Sequence, residues 1–335
     1  MGPDGTVRWG VAGPGRIAAG VADDLPLVEG AELAAVGSRS RERAEAFARE
    51  HGTDATRAHG SYRDLVDDPE VDAVYVATPH PQHAEIAIAC LAAGKAVLVE
   101  KSFTATLAGA WRVVDAARTH GVFAMEAMWT RFQPAVVRMR ELIADGAIGD
   151  VRAVQADLGT VREVDPNDRL FDPALGGGAL LDLGVYPVSF AQMVLGTPTA
   201  VTAVASWEST GVDADGALLL AYDDGRQATA QYSFHSPSPG QARVFGASGW
   251  IDVLPRFHHP STIVLHREGA DPETIELPAT GTGYSHELVE VGDCLRAGRT
   301  ESLVMPLDDT LAVQGVLADA AEQLGLVVRE AEGVV

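Results

Sequence analysis

The run Val7-Arg8-Trp9-Gly10-Val11-Ala12-Gly13-Pro14-Gly15-Arg16-Ile17-Ala18 reads as a strand, a glycine turn and the start of a helix. Its last six residues spell G-x-G-x-x-A, and the small residues each have a physical reason. Gly13 permits a tight turn and Gly15 lets backbone approach a pyrophosphate. Ala18 allows the helix to pack closely on the strand, and the helix N-terminus attracts the anion. Arg16 and Ile17 complete the loop that would border the nucleotide. A plain glycine-rich turn is the alternative, but the order strand, turn, helix favours a nucleotide.

Outward from this turn the pattern repeats up to about Gly149. AELAAVGS is followed by RERAEAFAREHG, VDAVYVAT by HAEIAIACLAAG, and AVLVEK by GAWRVVDAARTHG. Alternating strands and helices imply an α/β Rossmann-type, doubly wound parallel sheet. VDAVYVAT and AVLVE are nearly unbroken apolar runs, as expected where helices cover both faces, and their carboxyl ends should carry the ligand-facing residues.

The second half reads differently. DVRAVQADLG, TAVTAVASWE, ALLLAYDDGRQATAQYSF and STIVLHRE are strand-like, with a hairpin signal at Asp224-Gly225. Helices are expected near Leu180 to Leu195, Ser285 to Ala297 and Leu307 to Leu324. This predicts an α+β domain with a large, mainly antiparallel, open-faced sheet. With the boundary near Phe123 to Trp129, residues 1–125 form the dinucleotide-binding domain and 126–335 the substrate-binding and dimerisation domain.

Composition narrows the partners. A formal charge of −22 repels phosphate backbones and anionic lipid, which argues against nucleic acid and membranes. The N-terminus has no signal-peptide pattern and no uninterrupted apolar run reaches about 18 residues, so a cytoplasmic protein is expected. Cys90 and Cys294, far apart, suggest two buried, reduced thiols.

After the second strand stands Gly37-Ser38-Arg39-Ser40-Arg41, then Arg43, with no carboxylate for the ribose hydroxyls of NAD. The Ser38 hydroxyl and the Arg39 and Arg43 guanidiniums suit a 2′-phosphate, which favours NADP, with NAD the alternative. Taken singly, each arginine also fits a solvated helix start.

Among 25 basic residues only Lys95 and Lys101 are lysines. Lys101 follows Glu100 at a strand's carboxyl end, where a lysine offers a tunable pKa that arginine cannot. Asp182 and Tyr186 stand four residues apart, on one face if that stretch is helical.

AGPGRIA, ATPHPQHAE (77–85), GKAVLVEKS (94–102), GGGALLDLGVY (176–186) and the tail AGRTESLVMPLDDTLAV together resemble the Gfo/Idh/MocA oxidoreductase family over almost the whole chain. MEAMWTRFQPAV (125–136) and Tyr186 look most like its dihydrodiol dehydrogenase and NADP-dependent D-xylose dehydrogenase branch. The resemblance implies a catalytic, substrate-contacting set of Lys101, Asp182 and Tyr186. It implies also that Thr78, Pro79, His83 and Glu100 border the cofactor, that His80 and Trp129 lie near substrate, and that Arg169 touches one or the other. Ser102 departs from the family's usual Glu-Lys-Pro, which puts the aim of Lys101 in question.

The expected reaction moves a hydride between nicotinamide C4 and a hydroxyl-bearing carbon of a sugar, polyol or cyclic diol, with Tyr186 handling the hydroxyl proton. The rivals are a dinucleotide sensor without turnover and a sugar-transforming enzyme with tightly held NAD. His80 and His83 lack a convincing third ligand, so no metal is expected. His258 and His259, beside Pro260, read as a solvated loop. Trp129, Trp250 and Phe257 suggest either an apolar wall or core. An open-faced sheet needs a cover, so a homodimer or a dimer of dimers through that sheet is expected.

Overall fold

In the computed structural model, which describes Gly2 and residues 5–335, the chain divides into two compact units. The first takes Met1–Met128, Thr280–Thr310 and Arg329–Val335, and the second Trp129–Ala279 and Leu311–Val328.

The first unit is built on six parallel strands: β1 (Val7–Ala12), β2 (Ala31–Gly37), β3 (Arg57–His59), β4 (Ala73–Val76), β5 (Ala96–Glu100) and β6 (Ala124–Ala127). They lie in the order β3-β2-β1-β4-β5-β6. Every residue of β4 and β5 is buried, which is why their sequences never alternate. Helices α1 (Arg16–Asp24), α2 (Arg41–His51), α3 (Tyr62–Val66), α4 (His83–Ala92) and α5 (Leu107–His120) intervene. Strand order reverses between β1 and β4, and register pairs Ala12 with Val76 and Val76 with Val99. The loops after β1, β4 and β5 therefore emerge side by side, at the kind of crevice where open α/β sheets bind ligands.

In the second unit, α6 (Pro134–Ala144) leads to β7 (Val151–Gly159), and a π-turn over Leu180–Gly184 runs into α7 (Val185–Leu195). Strands β8 (Ala200–Trp207), β9 (Asp213–Ala221), β10 (Gln227–Ser233), β11 (Ala242–Gly246), β12 (Gly249–Val253), β13 (Thr262–Arg267) and β14 (Glu273–Glu276) follow. Their order is β14-β13-β12-β11-β7-β10-β9-β8, antiparallel except for the parallel pair β7 and β10. The Asp224-Gly225 hairpin joins β9 to β10, with Gly225 at φ 82°. Ala228, Ala230 and Tyr232 of β10 are buried beneath α7, while Gln227, Thr229 and Gln231 are exposed on the opposite face. That other face also shows Val204 and Leu219. Helices α8 (Ser285–Arg296) and α9 (Leu307–Leu324) complete the chain. Pro173–Leu195 is long and apolar enough by composition to cross a bilayer, but 89% of its most apolar window is buried, as in a core helix.

Candidate active site

The nucleotide loop is built as its glycines require. Gly13 sits at φ +91°, and a Cβ there would lie 2.8 Å from Thr78 Cγ2 and 2.9 Å from the Ala77 carbonyl oxygen, so only glycine fits. A Cβ at Gly15 would meet nothing within 4 Å, leaving the open space that a pyrophosphate needs. Gly15 is the N-cap of α1 and no side chain caps that helix, so its first N–H groups are left for an anion. Arg16 is exposed beside that end and Ile17 is half-buried.

At the end of β2, buried Ser38 accepts from the Ser40 N–H at 3.2 Å, and Ser40 caps α2 through the Arg43 N–H. Arg41 is occupied by Glu45 one helical turn on, at 3.0 Å. Arg39 and Arg43 remain exposed on either side, with Arg43 reaching the Pro14 carbonyl of the glycine loop at 3.4 Å. Two guanidiniums beside a serine, with no acid from Ser38 to Arg41, fit the adenosine 2′-phosphate of NADP.

The β4 and β5 loops are tied together by His83. This fully buried ring sets Nε2 against the Thr78 carbonyl at 2.7 Å, and Nδ1 against those of Ser102 at 3.1 Å and Phe103 at 3.2 Å. It is a strut that fixes backbone next to Thr78 and Pro79. His80 packs edge-on against it at 5.7 Å. Beneath Lys101 the Tyr75 hydroxyl donates to Glu100, and the other Glu100 oxygen accepts the Lys101 N–H at 3.2 Å. Glu126 takes the Phe103 N–H at 3.1 Å, so carboxylates from two neighbouring strands shape the turn. The Lys101–Ser102 peptide bond is cis, although residue 102 is not proline.

In the second unit Asp182 lies within the π-turn and Tyr186 in the first turn of α7, 6% and 9% exposed. Arg169 reaches Asp182 at 3.3 Å. Asp213 anchors the turn by accepting the Leu180 N–H at 2.6 Å, and burial pushes its carboxyl up to about 6. Gly178 makes room for it, since a Cβ there would stand 2.2 Å from Asp213 Oδ1. Asp213 carries no motif, and nothing in the sequence marked it.

The expected solvated loop at His258 and His259 is corrected. His258 is 7% exposed, its ring centroid 4.9 Å from that of Tyr186 and 6.0 Å from that of Trp129. His259 packs on Trp129 at 5.0 Å. Phe257 is buried core, and Trp250 stacks on His266 at 4.3 Å on the sheet.

The model for an oxidoreductase family with an NAD-binding Rossmann fold matches residues 7–128, and that for the GFO/IDH/MocA C-terminal domain matches residues 136–252. The chain belongs to the Gfo/Idh/MocA family. Like its relatives it is an NAD(P)-dependent oxidoreductase of CH–OH groups. It is 37% identical over 338 residues to the trans-1,2-dihydrobenzene-1,2-diol dehydrogenase of Sus scrofa, covering 98% of this chain and 97% of that one. The Xenopus tropicalis enzyme of the same name is 35% identical over 329 residues, with 95% and 98% covered. Among solved family structures, KijD10, a 3-ketoreductase from Actinomadura kijaniata in complex with NADP and TDP-benzene, superposes with a TM-score of 0.83. It is 26% identical, with 97% of this chain and 98% of that chain covered. The aldose-aldose oxidoreductase of Caulobacter crescentus gives 0.85 at 26% identity, with 95% and 97% covered.

Proposed function

We propose that this enzyme interconverts a secondary alcohol and a carbonyl on a small cyclic diol or sugar with NADP, using Lys101, Asp182 and Tyr186. Residues 1–125 bind the dinucleotide, and the remainder carries the substrate side chains. The observation that carries the cofactor choice is Ser38 with the two exposed guanidiniums of Arg39 and Arg43, and no acidic residue from Ser38 to Arg41. The 3-ketoreductase whose structure contains NADP and the diol dehydrogenases among the relatives support the same reading.

When bound, NADP supplies or accepts the hydride. The protein's own residues manage the proton and the developing charge. Tyr186 takes the proton from the reacting hydroxyl, and Lys101 donates to the oxygen so that alkoxide charge meets a fixed donor. Asp182, held by Arg169, orients these donors. Thr78, Pro79, His83 and Glu100 shape the cofactor's border, and His80 and Trp129 line the substrate. We assign the reaction to the cytoplasm, in keeping with two buried free thiols. The sheet face with Val204 (64% exposed) and Leu219 (46%) is assigned to a homodimer, or to a dimer of dimers, and light scattering reads the stoichiometry.

The test is a screen of D-xylose, D-glucose, myo-inositol, 1,5-anhydrofructose and trans-dihydrodiols, each with NAD and NADP, following absorbance of the reduced nicotinamide. Turnover with a diol or sugar and a preference for NADP are expected. Absence of nicotinamide-coupled turnover across the panel sinks the proposal.

A further inference from the structure

We propose that Glu330 and Ala331 are positioning residues for the reaction, which together brace the loop after β4 against the loop after β5 and so fix the separation of the two loops that carry His80 and Lys101. This rests on the reading of Lys101 as the donor to the reacting oxygen.

The segment Arg329–Val335 belongs to the first unit and lies across the starts of α4 and α5. Glu330 Oε1 accepts both the N–H and the hydroxyl of Thr106 at 2.8 Å. That hydroxyl in turn accepts the Gly109 N–H at 3.0 Å, as the N-cap of α5. The fit is specific, because a Cβ at Gly109 would lie 2.2 Å from the same Glu330 oxygen. A carboxylate there also faces the positive end of a helix. Burial pushes the Glu330 carboxyl up, and the Thr106 donors oppose that rise. The next residue makes the second contact, since the Ala331 N–H donates to the Pro81 carbonyl at 2.7 Å. Farther along, the N–H groups of Val334 and Val335 donate to Glu85, in the first turn of α4, at 2.9 and 3.1 Å.

Two consecutive residues of one segment thus bond to two different loops. Pro81 follows His80 directly, and Thr106 stands five residues after Lys101. The chain between Lys101 and Thr106 is held too closely to absorb a shift. Ser102, Phe103 and Thr104 are fully buried. The Ser102 and Phe103 carbonyls meet His83, the Phe103 N–H donates to Glu126, and the Thr104 hydroxyl donates to the Thr106 carbonyl at 2.8 Å. A displacement of Thr106 is therefore passed back to Lys101. His83 ties the two loops at one point, and Glu330 with Ala331 ties them at another. Two links fix a separation that a single link leaves free to pivot. Thr106 already caps α5 by itself, so what Glu330 adds is the placement of that cap relative to Pro81.

The experiment measures kcat, KM, NADPH binding by fluorescence and thermal melts in wild type, Glu330→Ala, Glu330→Gln and Ala331→Pro, with Glu332→Ala, exposed on the same segment, as the control. In folded Glu330→Ala kcat should fall about 10- to 100-fold, the cost of a displacement on the order of 1 Å at the reacting groups, while the Kd for NADPH stays close to wild type. Glu330→Gln keeps an oxygen for the two Thr106 donors and should recover most of kcat. Ala331→Pro, which deletes the N–H that reaches Pro81, should lower kcat in the same direction, and Glu332→Ala should not. A role in stability alone would lower the melting temperature of these variants and leave the kcat of the folded protein unchanged. That result overturns the proposal, as does a loss of kcat in Glu330→Ala that Glu330→Gln fails to repair. Should Glu330→Ala not fold, Ala331→Pro decides, and a normal kcat there overturns the proposal. Full activity in Lys101→Met instead overturns the underlying assignment of the donor, whatever Glu330 does.

Discussion

Lys95 and Lys101 stand just before and just after β5, and they are held in opposite ways. At the amino end Lys95 is 8% exposed and gives its ammonium to the carbonyls of Asp68 at 2.6 Å and Val71 at 2.8 Å. Burial pushes its pKa down. At the carboxyl end Lys101 is half-buried, with its backbone fixed by Glu100 beside the loops that follow β1 and β4. One residue type at the two ends of one strand serves the backbone at one edge of the sheet and, under the proposed function, meets substrate at the other. That division follows from parallel topology, which gathers every carboxyl end on one edge.

The largest effect expected is at the ligand edge. Lys101→Met should lower kcat on the order of 10³-fold, as for loss of a group that acts in the transition state, while NADPH binding by fluorescence stays close to wild type. A variant that turns over normally would erase the contrast between the two lysines.

Lys95→Met should do the reverse. Two buried carbonyls lose their donor at about 1–3 kcal/mol each, so stability to urea should fall by roughly 2–6 kcal/mol with kcat unchanged where the protein remains folded. A catalytic defect in folded Lys95→Met would show that the two ends of β5 are not separable.

A smaller effect sharpens the ligand side. With Arg39 and Arg43 both replaced by alanine, the Kd for NADPH should rise about 10- to 100-fold while that for NADH moves little, because under the proposed function each guanidinium would make a charge-assisted bond only to the extra phosphate. Equal weakening of both would return the arginines to the role of a solvated helix start.

What the sequence made legible and what it hid separate along the same line. The G-x-G-x-x-A turn, the all-buried strands and the helices at Ser285–Arg296 and Leu307–Leu324 announce themselves because their causes are local: glycine geometry, apolar runs and 3.6-residue periodicity. The features that escaped are long-range. Asp24 in α1 accepts the N–H groups of Thr282 and Ser285 and ties residues 280–310 to the first unit, with no compositional mark at either end. The pairing of β7 with β10 is parallel across an intervening π-turn, helix and hairpin. His258 and His259 read as solvated because His-His-Pro has a loop's composition, and composition does not report what a loop packs against. Asp182 was legible through its glycine-rich motif, whereas Asp213, which fixes the π-turn that carries it, was not.

Asp213 is the second unit's counterpart to Lys95, a buried ionisable group holding backbone, and it yields the smallest effect. Its carboxyl is raised from 3.8 to about 6, chiefly by burial. A group raised on folding is neutral in the stable form, so its contribution is complete below 3.8 and is lost as pH rises through about 6. Linkage with these values costs wild type about 1 kcal/mol between pH 5 and pH 7. Asp213→Asn keeps an oxygen to accept the Leu180 N–H and removes the titration, so its urea midpoint should lack that component of the decline. An identical pH slope in both proteins would mean that Asp213 does not titrate in this range. A change in the pH profile of kcat, with the slope in stability unaffected, would move Asp213 from the structural side of the comparison to the chemical one.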